Sequence, residues 1–197
     1  MQRNILIAIL LISAFPSLSQ LGSYVDSINN YRSKYVKEHE VVKSSDKKNM
    51  SFFPADETYR VITRVELIED APWFSMETSS DKKKPYRVFA IIHFKLNNKE
   101  LKLHIYQSKD LMKIAEYADH LFIPFIDETC GEDSYENGRY IDLTITDISQ
   151  GTFLLDFNKA YNPYCAYISN KYSCPVPPKE NHLAVAIKAG EKKFGDH

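Results

Sequence analysis

Tyr86-Arg87-Val88-Phe89-Ala90-Ile91-Ile92-His93-Phe94-Lys95-Leu96 runs into Asn97-Asn98, and Leu101-Lys102-Leu103-His104-Ile105-Tyr106-Gln107 follows the turn. Leu101, Leu103 and Ile105 share one face of the second segment, the period of two that a half-buried strand requires. Asparagine tolerates the left-handed backbone of a tight turn, so two of them between such runs mark a hairpin. Residues 86–107 are therefore expected to form a β-hairpin, with the rest of the chain built around it.

Upstream, Val61, Thr63, Val65 and Leu67 alternate with polar or mixed residues as a strand, and Trp73 to Thr78 reads as a shorter one. Tyr24 to Val42 carries apolar or aromatic residues at 24, 25, 28, 31, 35 and 36, the face of an amphipathic helix, with Arg32 mostly off that face. Downstream, Asp110 to Asp119 reads as a short helix. Leu121 to Ile126 reads as a strand that Pro124 confines to an edge or a bulge. Arg139 to Thr146 and Thr152 to Phe157 read as a pair joined across Gln150-Gly151, and Leu183 to Ala189 as a last strand closed by Gly190. His93 and His104 fall near one another across the hairpin. The fold class is mainly β (α+β): about seven to nine mostly antiparallel strands in a sandwich or partly open barrel, with an N-terminal amphipathic helix and one short helix. The 13 Tyr and 11 Phe against one Trp agree with a strand-rich chain.

The 197 residues carry a formal net charge of −1, which argues against nucleic acid as a partner, since phosphate needs a basic face. The lysines at 82–84 and 192–193 lack interleaved aromatics for base stacking and read as solvated surface. Arg3, the apolar run Ile5 to Ile12 and the small residues Ser17 and Ser19 compose a signal peptide over 1–19, cut before Gln20. The run is shorter than the ~20 residues of a membrane span. The expected product is one exported domain over 20–197, periplasmic or extracellular, with no membrane attachment after cleavage. No nucleotide-binding glycine loop, Gly-x-Ser-x-Gly elbow, His-Glu-x-x-His helix or calcium loop is present, and no cofactor is expected.

Residues 122–192 hold most of the unusual chemistry. They contain Pro124-Phe125-Ile126-Asp127-Glu128-Thr129, Gly138-Arg139-Tyr140 and Asp142-Leu143. They continue through Leu155-Asp156-Phe157-Asn158, Ala160-Tyr161-Asn162-Pro163-Tyr164-Cys165-Ala166-Tyr167, Tyr172-Ser173-Cys174-Pro175 and Glu180-Asn181 to Ala189-Gly190-Glu191-Lys192. In order and spacing these resemble the bacterial and archaeal family catalogued as domain of unknown function 1684. The resemblance implies a signature region at 122–192 and no activity; Cys130 stands where the family usually carries a small residue.

Irregular loops that are buried must satisfy their backbone with side chains, so the polar residues here have work to do. A bridge between Cys165 and Cys174 closes a loop of about ten residues and is worth about 3 kcal/mol. The same pair with His182 offers a metal site, although the spacing is not Cys-x-x-Cys. A catalytic thiol at Cys165 or two buried thiols are further readings. Asp127, Asp156 and Glu180, with Asp142, are candidate acid–base carboxylates for a hydrolase; their alternative is to tie down loop backbone or pair with Arg139. Arg139, Tyr135, Asn158, Tyr161, Asn162 and Tyr167 offer a planar cationic fork, flat rings and amides for a small molecule, a carbohydrate or an anion. Non-catalytic binding in such a pocket is the leading expectation.

Overall fold

Seven strands form one antiparallel sheet in the structure, a computed structural model that describes residues 18–195: β1 (Arg60–Leu67), β2 (Phe74–Met76), β3 (Lys84–Leu96), β4 (Lys99–Ser108), β5 (His120–Phe125), β6 (Arg139–Thr144) and β7 (Thr152–Asp156). Their order is β6-β5-β4-β3-β1-β7, and β2 shares with β1 the free edge of the long β3. The expected hairpin is β3–β4, with Leu96 opposite Lys99 and Asn97 and Asn98 at φ 50° and 61°. His104 lies opposite Ile91 and His93 opposite Lys102, so the two histidines are diagonal neighbours. The sheet curls into a half-barrel. Its concave face buries Ala90, Ile92, Phe94, Leu103, Ile105, Ile123, Ile141 and Leu155.

The helix α1 (Leu18–Glu38) packs Tyr24, Ile28 and Arg32 inward, four residues apart. Arg32 is thus on the buried face rather than off it. Its Nη1 donates to the Phe53 carbonyl (2.8 Å) and its guanidinium lies over the Phe52 ring, which compensates for burying the charge. The leader expected over 1–19 lies almost wholly outside the described residues. No helix among those residues is long and apolar enough to cross a membrane.

Three expectations are corrected. β7 pairs with β1, Arg60 opposite Asp156, and not with β6. A 3-10 turn at Thr146–Ile148 buries Ile148 and carries the chain across the open seam of the half-barrel to its other edge. Residues 110–119 form two 3-10 turns, separated by an extended Ile114, instead of one helix. Ile114 and Tyr117 stay exposed there, so no apolar face is buried to stabilise a longer helix.

Residues 183–189 are the third. Leu183, Val185, Ile187 and Ala189 are buried alternately, as in a strand, and yet no strand forms. Side chains replace much of the neighbouring strand. The Ile187 N–H donates to Asp127 Oδ1 (3.0 Å), and Arg139 donates to the carbonyls of Ile187, Ala189 and Glu191.

Pro124 sits inside the sheet order, but next to a gap. β4 and β5 meet in register at Tyr106–Phe122, beyond which the buried Asn181 fills the space between them. Asn181 accepts from the His104 N–H (2.7 Å) and donates to the carbonyls of His104 (2.9 Å) and Pro124 (2.7 Å).

Candidate functional site

Strand alternation puts Tyr106, Phe122 and Tyr140 on the sheet face opposite Ile105, Ile123 and Ile141, in a second cluster with Met76 and Tyr86. Residues 161–176 lie over this face. They are pinned at one end by reciprocal backbone bonds between Tyr140 and Tyr161 (2.9 and 3.0 Å). At the other, the Ser79 N–H donates to Cys174 O and the Val176 N–H to Glu77 O. Cys165 and Cys174 stand in disulfide geometry with Cα atoms 6.3 Å apart, holding the two limbs of the loop together.

The second half of α1 leans over the same region, and a cleft of roughly 780 Å³ opens between helix, loop and β6. That volume falls within the range of about 300–1,000 Å³ usual for small-molecule sites. Seven tyrosines line it: Tyr31 and Tyr35 from α1, Tyr117, Tyr140 from β6, and Tyr161, Tyr164 and Tyr172 from the loop. His39 joins them. The charged lining residues are Glu38, Glu40, Asp142 and Lys84.

The deeper hydroxyls are already committed. Tyr161 donates to the Asp142 carboxylate (2.9 Å), which His120 also contacts at 3.2 Å, and Tyr140 donates to the Pro175 carbonyl. Burial first, and then Asp142, push the Tyr161 hydroxyl well above its ordinary pKa, so it stays protonated as a donor. Tyr35 shares its hydroxyl with Tyr167 (3.2 Å) and Glu191 (3.3 Å). His39 Nδ1 accepts from the Val42 N–H (3.1 Å), and burial holds its pKa below the usual histidine value, so the ring is neutral.

Behind this wall lies Glu191, fully buried, which accepts from the Asn162 N–H (2.9 Å) and the hydroxyls of Tyr167 (2.8 Å) and Tyr35 (3.3 Å). Burial pushes its carboxyl up to about 7, so its favourable contribution is full below 4.5 and is lost as pH rises through about 7. His39 and His104, both lowered by burial, act oppositely: their contribution is present above the ordinary value of 6.5 and lost on acidification. Between about pH 6.5 and 8.5 Glu191 lowers stability by about 1 kcal/mol, while the last of the histidine titration, from His39 and His104, raises it by a similar amount at most. Relative to wild-type protein, Glu191→Gln should therefore gain about 1 kcal/mol across that window. Urea denaturation across the window measures it, and an unchanged slope in the variant would refute the assignment.

The residues expected to bind a ligand are only partly brought together. Tyr161 lines the cleft, while Asn162 and Tyr167 support it through Glu191. Asn158 is buried beneath α1, bonded to Tyr24, to the Asp56 backbone and to Asp156. Tyr135 lies on a turn and accepts from Asn137 Nδ2 (3.2 Å). Arg139, 0% exposed, pairs with Asp127 at 2.7 Å and packs between the rings of Phe53 and Phe125. Its fork holds backbone, not a ligand.

The expected acid–base carboxylates are equally dispersed. Asp127 accepts from the Thr129 N–H and hydroxyl besides Arg139. Asp156 accepts from Tyr24 and from the Asn158 N–H, and Glu180 is exposed on the turn Lys179–Asn181. None of the three lines the tyrosine cleft. Among the described residues no three His, Cys, Asp or Glu side chains converge to hold a metal ion. His182 donates to the Pro177 carbonyl (3.2 Å) and does not join Cys165 and Cys174. The Cys130 thiol contacts Asp127 and Ser134, and burial raises its pKa, which disfavours the reactive thiolate.

Sequence reasoning passed over Tyr31, Tyr35, His39, Tyr117, Tyr140 and Tyr172 as site residues. One signal was available: Tyr31, Tyr35 and His39 are spaced four apart, a single aromatic stripe on a helix.

The solution NMR structure of an uncharacterized protein from Haloarcula marismortui is similar to this chain, with 32% identity and a TM-score of 0.67. The match covers 91% of this chain and 99% of that one. No curated protein matches the chain. A family model described as a protein of unknown function (DUF1684) matches residues 46–192, which include every strand, the tyrosine loop and Glu191, and the chain belongs to that family.

Proposed function

We propose that the protein is an exported, non-catalytic domain that binds a small molecule in the tyrosine cleft. The observation that carries this reading is a cleft of ligand size whose walls are aromatic and whose deep hydroxyls are held by the fold. Such a wall is rigid before any ligand arrives, which lowers the ordering cost of binding. Of the carboxylates considered for hydrolysis, Asp127, Asp156 and Glu180 lie outside the cleft, and Asp142, which lines it, accepts from Tyr161. Export is supported by the leader-like residues 1–19 and by the Cys165–Cys174 pair, which suits an oxidising compartment.

The test uses protein recovered after export with Gln20 at its N-terminus. It is screened by thermal shift against sugars, organic amines and organic anions, and assayed with aryl glycosides and esters. At least one compound should stabilise it, by about 2.7 kcal/mol at a hundredfold excess over Kd. Leu111→Trp, which fills the cleft from its rim, should abolish that stabilisation. Turnover of a glycoside or ester, or stabilisation indifferent to Leu111→Trp, would overturn the reading.

A further inference from the structure

Three properties of the cleft narrow what it accepts. The first is charge. Glu38, Glu40 and Asp142 place three carboxylates on the lining against the single ammonium of Lys84. Arg139 and Arg32, the cations a buried anion would want, are spent on backbone carbonyls. On the lining itself an anion would meet one cation and three carboxylates.

The second is hydrogen-bonding capacity. A sugar is read by many donors and acceptors directed at its hydroxyls, but the hydroxyls of Tyr35, Tyr140 and Tyr161 are turned to Glu191, Pro175 and Asp142. These three offer the cleft ring surface, which leaves its free polar capacity to the hydroxyls of Tyr31, Tyr117, Tyr164 and Tyr172 and to the buried, unpartnered Nε2 of His39.

The third is ring arrangement. Tyr140 and Tyr161 meet at 84°, His39 and Tyr164 at 77°, and Tyr164 and Tyr172 at 56°. These rings pack directly on one another, with centres 5.9, 5.8 and 5.2 Å apart, and so build a continuous aromatic wall on the cleft; the negative faces of aromatic rings attract cations. The chain's own ammonium groups already illustrate this: Lys171 Nζ lies 5.2 Å from the centre of the Tyr172 ring, and Lys159 Nζ 5.5 Å from that of Tyr31.

We infer that the ligand of the tyrosine cleft is a small organic cation, carrying an ammonium or alkylated ammonium group. The inference rests on the proposed binding role of the cleft and names its ligand class. The tyrosine wall faces the alkyl groups on nitrogen, and Asp142, with the exposed Glu38 and Glu40 near the mouth, supplies the compensating charge. Asp142 keeps lone pairs for a cation while accepting from Tyr161, because a carboxylate has about four acceptor sites.

Calorimetric titration with choline, tetramethylammonium and spermidine, compared with 3,3-dimethylbutanol as the uncharged counterpart of choline, tests this directly. At least one cation should bind, more tightly than the uncharged alcohol, and binding should weaken with added salt. Asp142→Asn keeps an acceptor for Tyr161 but removes the charge, and should weaken cation binding roughly two- to fivefold. Glu40→Gln, at an exposed position without structural demands, should act in the same direction. Tyr164→Phe should preserve binding and Tyr164→Leu should reduce it for the cations while leaving the binding of 3,3-dimethylbutanol little changed, a contrast that lost packing alone would not produce.

Equal binding of choline and the alcohol overturns the inference. So does tight binding of a sugar or an anion that Leu111→Trp abolishes; in both cases the binding role survives. If no compound of any class responds to Leu111→Trp, the binding role itself fails and the inference falls with it.

Discussion

Arg139→Leu is expected to remove most of the stability of the protein, at least about 4 kcal/mol, because it strands a buried charge. The Arg139 and Asp127 side chains are both 0% exposed and 2.7 Å apart. Without the guanidinium, Asp127 keeps its bonds from Thr129 and the Ile187 N–H but loses its counter-charge. The carbonyls of Ile187, Ala189 and Glu191 lose their donor at the same time. Breaking a buried pair costs about 3–5 kcal/mol, and each unsatisfied buried carbonyl about 1–3 more. A domain of this size has about 5–15 kcal/mol in total. The variant should therefore be unfolded or marginal by circular dichroism at room temperature. Arg139→Lys should rescue only part of the loss, because an ammonium cannot reproduce the planar fork. A folded Arg139→Leu protein with an unchanged urea midpoint would show that the pair does not hold the 183–191 segment.

Asn181→Ala should cost about 3–5 kcal/mol by a different route, with no charge involved. One amide satisfies three backbone groups at the place where β4 and β5 part: the His104 N–H, the His104 carbonyl and the Pro124 carbonyl. Alanine leaves all three buried without partners, unless water enters the gap. Asn181→Asp accepts but cannot donate, and adds a buried charge, so it should be at least as damaging. Hydrogen exchange gives a local readout: the His104 amide should exchange far faster in the alanine variant than its neighbours in β4. Wild-type protection at His104 would eliminate this explanation of how Pro124 is accommodated.

Both effects bear on what the residue string could reveal. The β3–β4 hairpin was legible because Asn97-Asn98 and the alternation on either side are local signals of one kind of turn. The partner of β7 was not, because the short segment 145–151 resembles a hairpin connection. The burial of Ile148, which turns the chain across the seam, depends on residues far away in sequence. Leu183 to Ala189 shows the same limit from the other side. Its alternation reports which side chains are buried, whereas its hydrogen-bond partners are the backbone of Ile126 and Glu128 and, in place of further ladder, the side chains of Asp127 and Arg139, about which periodicity is silent.

Charge misled at Arg32; at Arg139 the pairing with Asp127 was one of the two readings open to sequence, while the carbonyls that share its guanidinium are announced by no local pattern. The site itself was half legible. The density of tyrosine in 161–172 marked one wall, but the opposite wall comes from α1 and the floor from β6. Only folding brings the three together.

The position of α1 has a kinetic consequence. Tyr24 bonds to Asp156 and Asn158, 132 and 134 residues away, and Tyr35 to Glu191, 156 residues away. β1 likewise waits for β7. Such distant pairings pay their loop-closure entropy before any reward, which places folding at the slow end, on the order of milliseconds to seconds. Most of the stability of a helix in a protein comes from packing its apolar face rather than from propensity, so α1 depends on its docking. During synthesis α1 meets Phe52 and Phe53 early, but its bonds to Asp156, Asn158 and Glu191 wait until those residues emerge. An early element thus completes its docking late, and a nascent chain stalled before Asp156 leaves much of the apolar stripe of α1 uncovered for the whole interval.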